Sequence, residues 1–160
     1  MIKVNLGCGR DVRENYVNVD KHKFKGVNII HNLDKFPYPF KDDTFDEIMC
    51  NYVFEHLTYP EEVLKEMCRI GKNGVKIKLI VPFWNGMYTW ADIQHKRGFT
   101  LYTFDGNDRE CFKGQKFELI KQKLIGTKLT NWMPQRALRV LSYFLCNIAV
   151  LIEVELEVRK

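Results

Sequence analysis

Apolar residues in the first half of the chain fall into short runs separated by turn-forming residues, the mark of strands rather than long helices. Residues 2–6 read as a first strand, 16–20 as a second, 27–31 as a short third, and Phe45–Cys50 as a fourth that ends at Asn51. The link from Arg10 to Asn15 is too short for an ordinary parallel crossover, which takes about a dozen residues with its helix, so a turn or loop must stand there. Pro37 and Pro39 keep 36–40 out of a helix interior, 41–44 is turn material, and 52–57 suits one helical turn.

The best-marked helix follows. Thr58 is the expected N-cap, Pro60 sits in the first turn and Glu61 takes the capping-box position. Val63, Leu64, Met67, Cys68 and Ile70 share one face, and Gly71 with the 72–74 turn should end the helix. Val75, Ile77, Leu79 and Val81 then alternate with Lys76, Lys78 and Ile80, a strand with one polar face at its start that runs into Pro82. Residues 83–115 are irregular and rich in aromatics (Phe83, Trp84, Tyr88, Trp90, Phe99, Tyr102, Phe104, Phe112), with a short helix expected near 103–112; such a stretch either covers a site or caps the sheet edge. Beyond it come a strand at 117–125, a helix at 132–148 and a closing strand at 152–159 with Glu153, Glu155 and Glu157 on one face. This order predicts a single α/β domain over residues 1–160, a three-layer sandwich around a Rossmann-like, mostly parallel sheet with an antiparallel edge strand.

Composition narrows the picture. The chain has 160 residues, 46% hydrophobic and 13% aromatic, enough for a packed core. The net charge of +5 comes from scattered lysines and arginines and reads as a solvated surface, so nucleic acid is not indicated. Five widely spaced cysteines include no CxxC pair, so zinc-ligand spacing is absent, no metal site is expected, and free thiols in a reducing cytoplasm are the plain reading. The most apolar stretch, Val140 to Ile152, is interrupted by Ser142 and Asn147 and is shorter than the roughly 20 residues of a membrane span. It is expected in the core, with an interface in an oligomer as its other use, and no membrane association is expected.

The candidate chemistry lies at the start. The segment Val4-Asn5-Leu6-Gly7-Cys8-Gly9-Arg10 ends an apolar run in two glycines, and Val17-Asn18-Val19-Asp20 ends a second in a carboxylate. The first glycine permits a sharp turn off the strand and the second lets a ligand lie on bare backbone. A carboxylate at the end of the next strand accepts ribose hydroxyls. These residues predict a nucleoside-binding site; a nicotinamide site would share them, but leaves Asn32 to Phe40 without a role.

Further segments carry a resemblance. Leu6-Gly7-Cys8-Gly9, Val19-Asp20, Asn32-Leu33 with Pro37-Tyr38-Pro39-Phe40 and Phe45-Asp46, Asn51 to Leu57, Glu66 to Ile70 with Lys72-Asn73-Gly74 and Val81-Pro82, and His95 to Thr100 occur in one order. That order resembles the class I S-adenosylmethionine-dependent methyltransferases, most closely their small type-11-like branch. The resemblance implies methyl transfer from S-adenosylmethionine, leaving S-adenosylhomocysteine, to an acceptor that is a small molecule or a macromolecule. It implies cofactor contacts at Asn5, Gly7, Cys8, Gly9, Asp20, Asn32, Leu33 and Asn51, with Asp20 on the ribose and Asn32 and Leu33 on the adenine edge. His56 and then His95 are the candidate catalytic bases, and Trp84, Tyr88 and Trp90 are candidates to line the acceptor pocket or to face the cationic sulfur. The chain departs from the pattern at Asp11, where many members have a third glycine, and at Asn32, where Asp is usual. The shortened first crossover leaves open a second reading, a regulatory module that binds the cofactor without turnover.

Overall fold

The structure is a computed structural model that describes residues 1–105 and 116–160. The expected helix near 103–112, with Cys111 and Phe112, lies mostly outside the described residues. Among those described, β1 (Lys3–Leu6), β2 (Tyr16–Asp20), β3 (Ile29–Ile30), β4 (Phe45–Asn51), β5 (Gly71–Pro82), β6 (Phe117–Gly126) and β7 (Ala149–Val158) form one sheet in the order β3-β2-β1-β4-β5-β7-β6. The first five strands run parallel to one another, and β7 runs antiparallel to both β5 and the edge strand β6. The helices are α1 (Pro60–Ile70), α2 (Met87–Trp90) and α3 (Gln135–Phe144).

Strand alternation assigns the two faces. Val4, Leu6, Val19, Ile48, Cys50, Ile77, Leu79, Ile152, Val154 and Leu156 point into one core, completed by Val63, Leu64, Met67 and Ile70 of α1. The opposite face is polar. In register across it stand Lys3, Glu47, Lys76 and Glu157 in one row and Met49, Lys78, Glu155 and Lys121 in another. Ion pairs tie Lys3 and Lys78 to Glu47 and Lys76 to Glu155.

No helix lies between β1 and β4. The 10–15 link is a loop that folds over the polar face, where the Asn5 amide donates to the Asp11 carbonyl (2.8 Å) and the Asn18 amide to that of Arg13 (2.9 Å). Tyr38 to Phe40 is held from α1. The Arg69 guanidinium donates to the Phe40 and Tyr38 carbonyls (2.8 and 3.1 Å), and both Glu66 oxygens accept from Arg69 at 2.7 Å.

Three expectations are corrected. The N-cap of α1 is Tyr59, without a side-chain cap; instead the Asp34 carboxylate, across the loop after β3, accepts from the Thr58 and Tyr59 amides and the Thr58 hydroxyl. No separate turn follows the helix: β5 starts at Gly71 and absorbs Lys72-Asn73-Gly74 in a register shift against β4, with Gly74 at φ +76°. The helix expected at 132–148 is shorter, because extended backbone at Pro134 and Leu145 bounds it. The Val140–Ile152 stretch divides: Ala149, Val150 and Ile152 are buried in β7, whereas Val140, Tyr143, Phe144 and Leu145 are exposed. No helix among the described residues is long and apolar enough to cross a membrane.

Candidate functional site

A groove of about 310 Å³ opens at the carboxyl ends of β1 and β2, within the size range of ligand sites. Gly7, Gly9, Asp20, Asn32 and Leu33 line it together with Phe24, Tyr52, Val53 and His56. Gly7 (φ +69°) and Gly9 (φ +51°) take the left-handed conformation that favours glycine. A Cβ on Gly7 would overlap Val53, whereas one on Gly9 would meet no atom of the described residues within 4 Å, so bare backbone faces the groove there.

The second strand holds the glycine turn. The Gly7 and Cys8 amides both donate to the Val19 carbonyl (2.8 and 3.0 Å). Asp20 is buried; one carboxylate oxygen accepts from the Gly9 amide and the other from the His22 amide, each at 2.8 Å. A carboxylate has about four acceptor sites, so each oxygen keeps one for a ribose hydroxyl. Asn32 is exposed on the groove; its Oδ1 accepts from the Asp34 amide at 3.0 Å and retains a second lone pair.

Three expected cofactor contacts place their side chains elsewhere. Asn5 points to the polar face and anchors the 10–15 loop, because Val4 and Leu6 on either side point into the core. Asn51 also projects on that face, beside Lys78 and Ile80, and its buried Oδ1 has no partner among the described residues. Cys8 is buried beneath the turn, outside the groove lining, and burial together with the Asp20 charge pushes its thiol up to about 11.

A second hollow adjoins the groove, lined by Tyr52, Glu55, His56, Pro82, Tyr88, Asp92, His95 and Leu151; Tyr52 and His56 line both. His56 and His95, 39 positions apart, come together with ring centroids 4.7 Å apart. The Lys96 amide makes this contact possible by donating to the Glu55 carbonyl at 2.8 Å, while the Lys96 ammonium reaches the Thr58 hydroxyl at 2.7 Å. Burial, then the neighbouring His95, holds the His56 imidazole below its ordinary range, against a hydrogen bond to the Gln94 backbone. Glu55 is 1% exposed, and burial pushes its carboxyl up to about 7. Its importance escapes sequence reasoning because its neighbour across the hollow comes from a distant loop. Of the three aromatics assigned to an acceptor pocket, Tyr88 lines the hollow; Trp84 and Trp90 do not, and the Trp90 indole donates to the Trp84 carbonyl at 3.2 Å.

Comparison with known proteins agrees with this geometry. Residues 5–78 match the family model described as a methyltransferase domain. No curated protein matches the sequence significantly. Among solved structures, an S-adenosylmethionine-dependent methyltransferase from Archaeoglobus fulgidus superposes with a TM-score of 0.71 at 16% identity, over 98% of this chain and 85% of its own. A chain from the complex of the Haloferax volcanii Trm112 methyltransferase activator with its assigned methyltransferase gives 0.61 at 18% identity, over 99% and 83%. The [4+2]-cyclase SpnF gives 0.67 at 12% identity, over 99% and 75%. At these identities the structural likeness speaks for the fold, and the stretch matched in sequence contains the glycine turn, Asp20, Asn32 and Asn51. Over residues 5–78 the chain is similar to methyltransferase domains, and its fold is that of the S-adenosylmethionine-dependent methyltransferases.

Proposed function

We propose that the whole chain, residues 1–160, acts as one cytoplasmic methyltransferase domain that moves the methyl group of S-adenosylmethionine to an acceptor held in the second hollow. The observation that carries this reading is the continuity of the two spaces: Tyr52 and His56 line both the groove of Gly7, Gly9 and Asp20 and the hollow of Tyr88 and His95. Buried free thiols at Cys8, Cys50 and Cys68 suit the reducing compartment.

The bound cofactor supplies a methyl group on a cationic sulfur, open to in-line attack. The protein's part is to position and exclude water. In this reading Gly9 leaves room for the cofactor against main chain, Asp20 holds the ribose, and Asn32 with the Leu33 backbone meets the adenine edge. Tyr88 and Pro82 wall the acceptor in, and its proton is drawn off on the side of His56 and His95.

Isothermal titration with S-adenosylhomocysteine and S-adenosylmethionine tests the reading. Binding of both is expected, at least tenfold weaker in Asp20→Asn, which keeps one oxygen for the Gly9 amide but loses the charge. No binding by folded protein at millimolar ligand would overturn it. Binding without turnover across hydroxyl, amine and thiol acceptors would instead favour the regulatory module.

A further inference from the structure

The second hollow contains more than two histidines. One ligand-type atom each from Glu55, His56 and His95 lies within 4.8 Å of the other two. One of these residues is already oriented as metal ligands usually are, with one ring nitrogen bound to a protein carbonyl. His95 Nδ1 is 3.0 Å from the Thr89 carbonyl, which leaves Nε2 as an acceptor, and the His56 ring stands 4.7 Å from the His95 ring, centroid to centroid. The third group is the unusual one. Glu55 is 1% exposed and its Oε2 is buried with no hydrogen-bond partner among the described residues. A buried carboxylate oxygen without a partner is costly, and a cation between it and the two imidazoles removes that cost.

We propose that Glu55, His56 and His95 form a binding site for one divalent transition-metal ion, open toward the acceptor hollow. Two imidazoles and one carboxylate are a donor set for such ions and leave coordination positions free. Ligand atoms about 2.1 Å from an ion stand roughly 3–3.5 Å apart, so small side-chain rotations close the cluster from its present spread. Asp92, which also lines the hollow, adds negative charge near the site.

What the ion does rests on the functional reading above. Its free positions face the space assigned to the acceptor, so the acceptor class is one with an oxygen donor, a hydroxyl or enol. Metal binding lowers the pKa of that hydroxyl. The proton passes to water, the oxygen electron pair forms the new O–CH₃ bond, and the S–CH₃ pair stays on sulfur as neutral S-adenosylhomocysteine is released. His56 and His95 thus act together as ligands rather than one of them as a lone base.

The test is titration of chelator-treated protein with Co²⁺, followed by visible absorption, alongside calorimetry with Zn²⁺. The expected result is one equivalent bound with ligand-field bands, weakened at least tenfold in Glu55→Gln and in His95→Ala, with circular dichroism confirming that both variants are folded. Glu55→Gln is nearly isosteric, so it reports on the ligand rather than on packing. Absence of stoichiometric binding, or equal binding by folded variants, would overturn the site. S-adenosylhomocysteine titration of the metal-free protein is read separately. Cofactor binding without metal binding rejects only the ion, and metal binding without cofactor binding rejects only the functional reading.

Discussion

Adding one methyl group at Gly7 or at Gly9 separates a packing glycine from a cofactor glycine. Both have positive φ, +69° and +51°, and an L-residue held there costs about 1–2 kcal/mol. At Gly7 a second cost is added, because the new Cβ would lie 3.1 Å from Val53 Cγ1 and closer still to Cγ2. Overpacking of this kind costs about 1–3 kcal/mol. Gly7→Ala should therefore lose about 3 kcal/mol, a melting-temperature fall of roughly 6–12 °C for a chain of this size. At Gly9 the Cβ meets no atom of the described residues within 4 Å, so the backbone cost of about 1–2 kcal/mol applies, roughly 2–8 °C. The order reverses for ligand binding: the Gly9→Ala methyl projects where cofactor would lie on bare backbone, and S-adenosylhomocysteine affinity should fall more than tenfold. Val53→Ala makes the distinction quantitative. In the Gly7→Ala/Val53→Ala double variant the overlap is gone, so the two changes should couple favourably by about 1–3 kcal/mol. The assays are thermal and urea unfolding of the four proteins, with calorimetry for the ligand. Strict additivity of Gly7→Ala and Val53→Ala, or wild-type affinity in Gly9→Ala, would refute the assignment of roles.

Two other changes probe the frame around the site. Arg69→Ala strips Glu66 of its partner and leaves the Tyr38 and Phe40 carbonyls without their donor; a loss of about 2 kcal/mol, roughly 4–8 °C, is expected in thermal unfolding. Burial works against the Glu66 charge, but the Arg69 hydrogen bonds and the Tyr38 amide outweigh it and hold its carboxyl below the ordinary 4.5. The stabilisation this shift contributes is therefore complete above pH 4.5 and is lost as pH falls through the lower folded value, so acid unfolding curves of wild type and Arg69→Ala should converge below pH 4.5. Asp34→Ala leaves the Thr58 and Tyr59 amides without their acceptor and should cost about 1 kcal/mol, with fraying at the start of α1 visible as lost amide-exchange protection.

Most of the sheet was legible because strand alternation is a local signal: Val75, Ile77, Leu79 and Val81 are all buried, and the Glu153, Glu155 and Glu157 face is where the pattern set it. The glycine turn and Asp20 were legible for the same reason, since turn and acid lie on neighbouring strands at short separation. For Asn5 and Asn51 the period of two gives the side-chain direction, while the contact expected of Asn51 is one of its backbone. Val4 and Leu6 on either side of Asn5, and Cys50 before Asn51, point into the core, so both asparagines must project the other way. The exposure of Val140, Tyr143 and Phe144 was not legible, because apolar spacing marks a helix but not which of its faces finds a partner. The convergence of Glu55, His56 and His95 was not legible either, since it depends on the Lys96–Glu55 backbone hydrogen bond across 41 positions.

The absence of helices between β1 and β4 explains two features usually treated apart. Sheets with many parallel strands normally carry apolar residues on both faces because crossover helices cover both. Here the link after the glycine turn is only the 10–15 loop, so the second face must be compatible with water, and its rows of Lys and Glu in register neutralise one another strand by strand. The same shortening takes away a helix N-terminus whose amides would otherwise steady the glycine turn. That work passes to the second strand: the Val19 carbonyl accepts from Gly7 and Cys8, and Asp20 accepts from Gly9. Asp20 thus holds the turn that faces the cofactor while keeping free the lone pairs assigned to the ribose. This dual duty is why Asn, which can still accept from Gly9, separates the two functions better than Ala, which removes both at once.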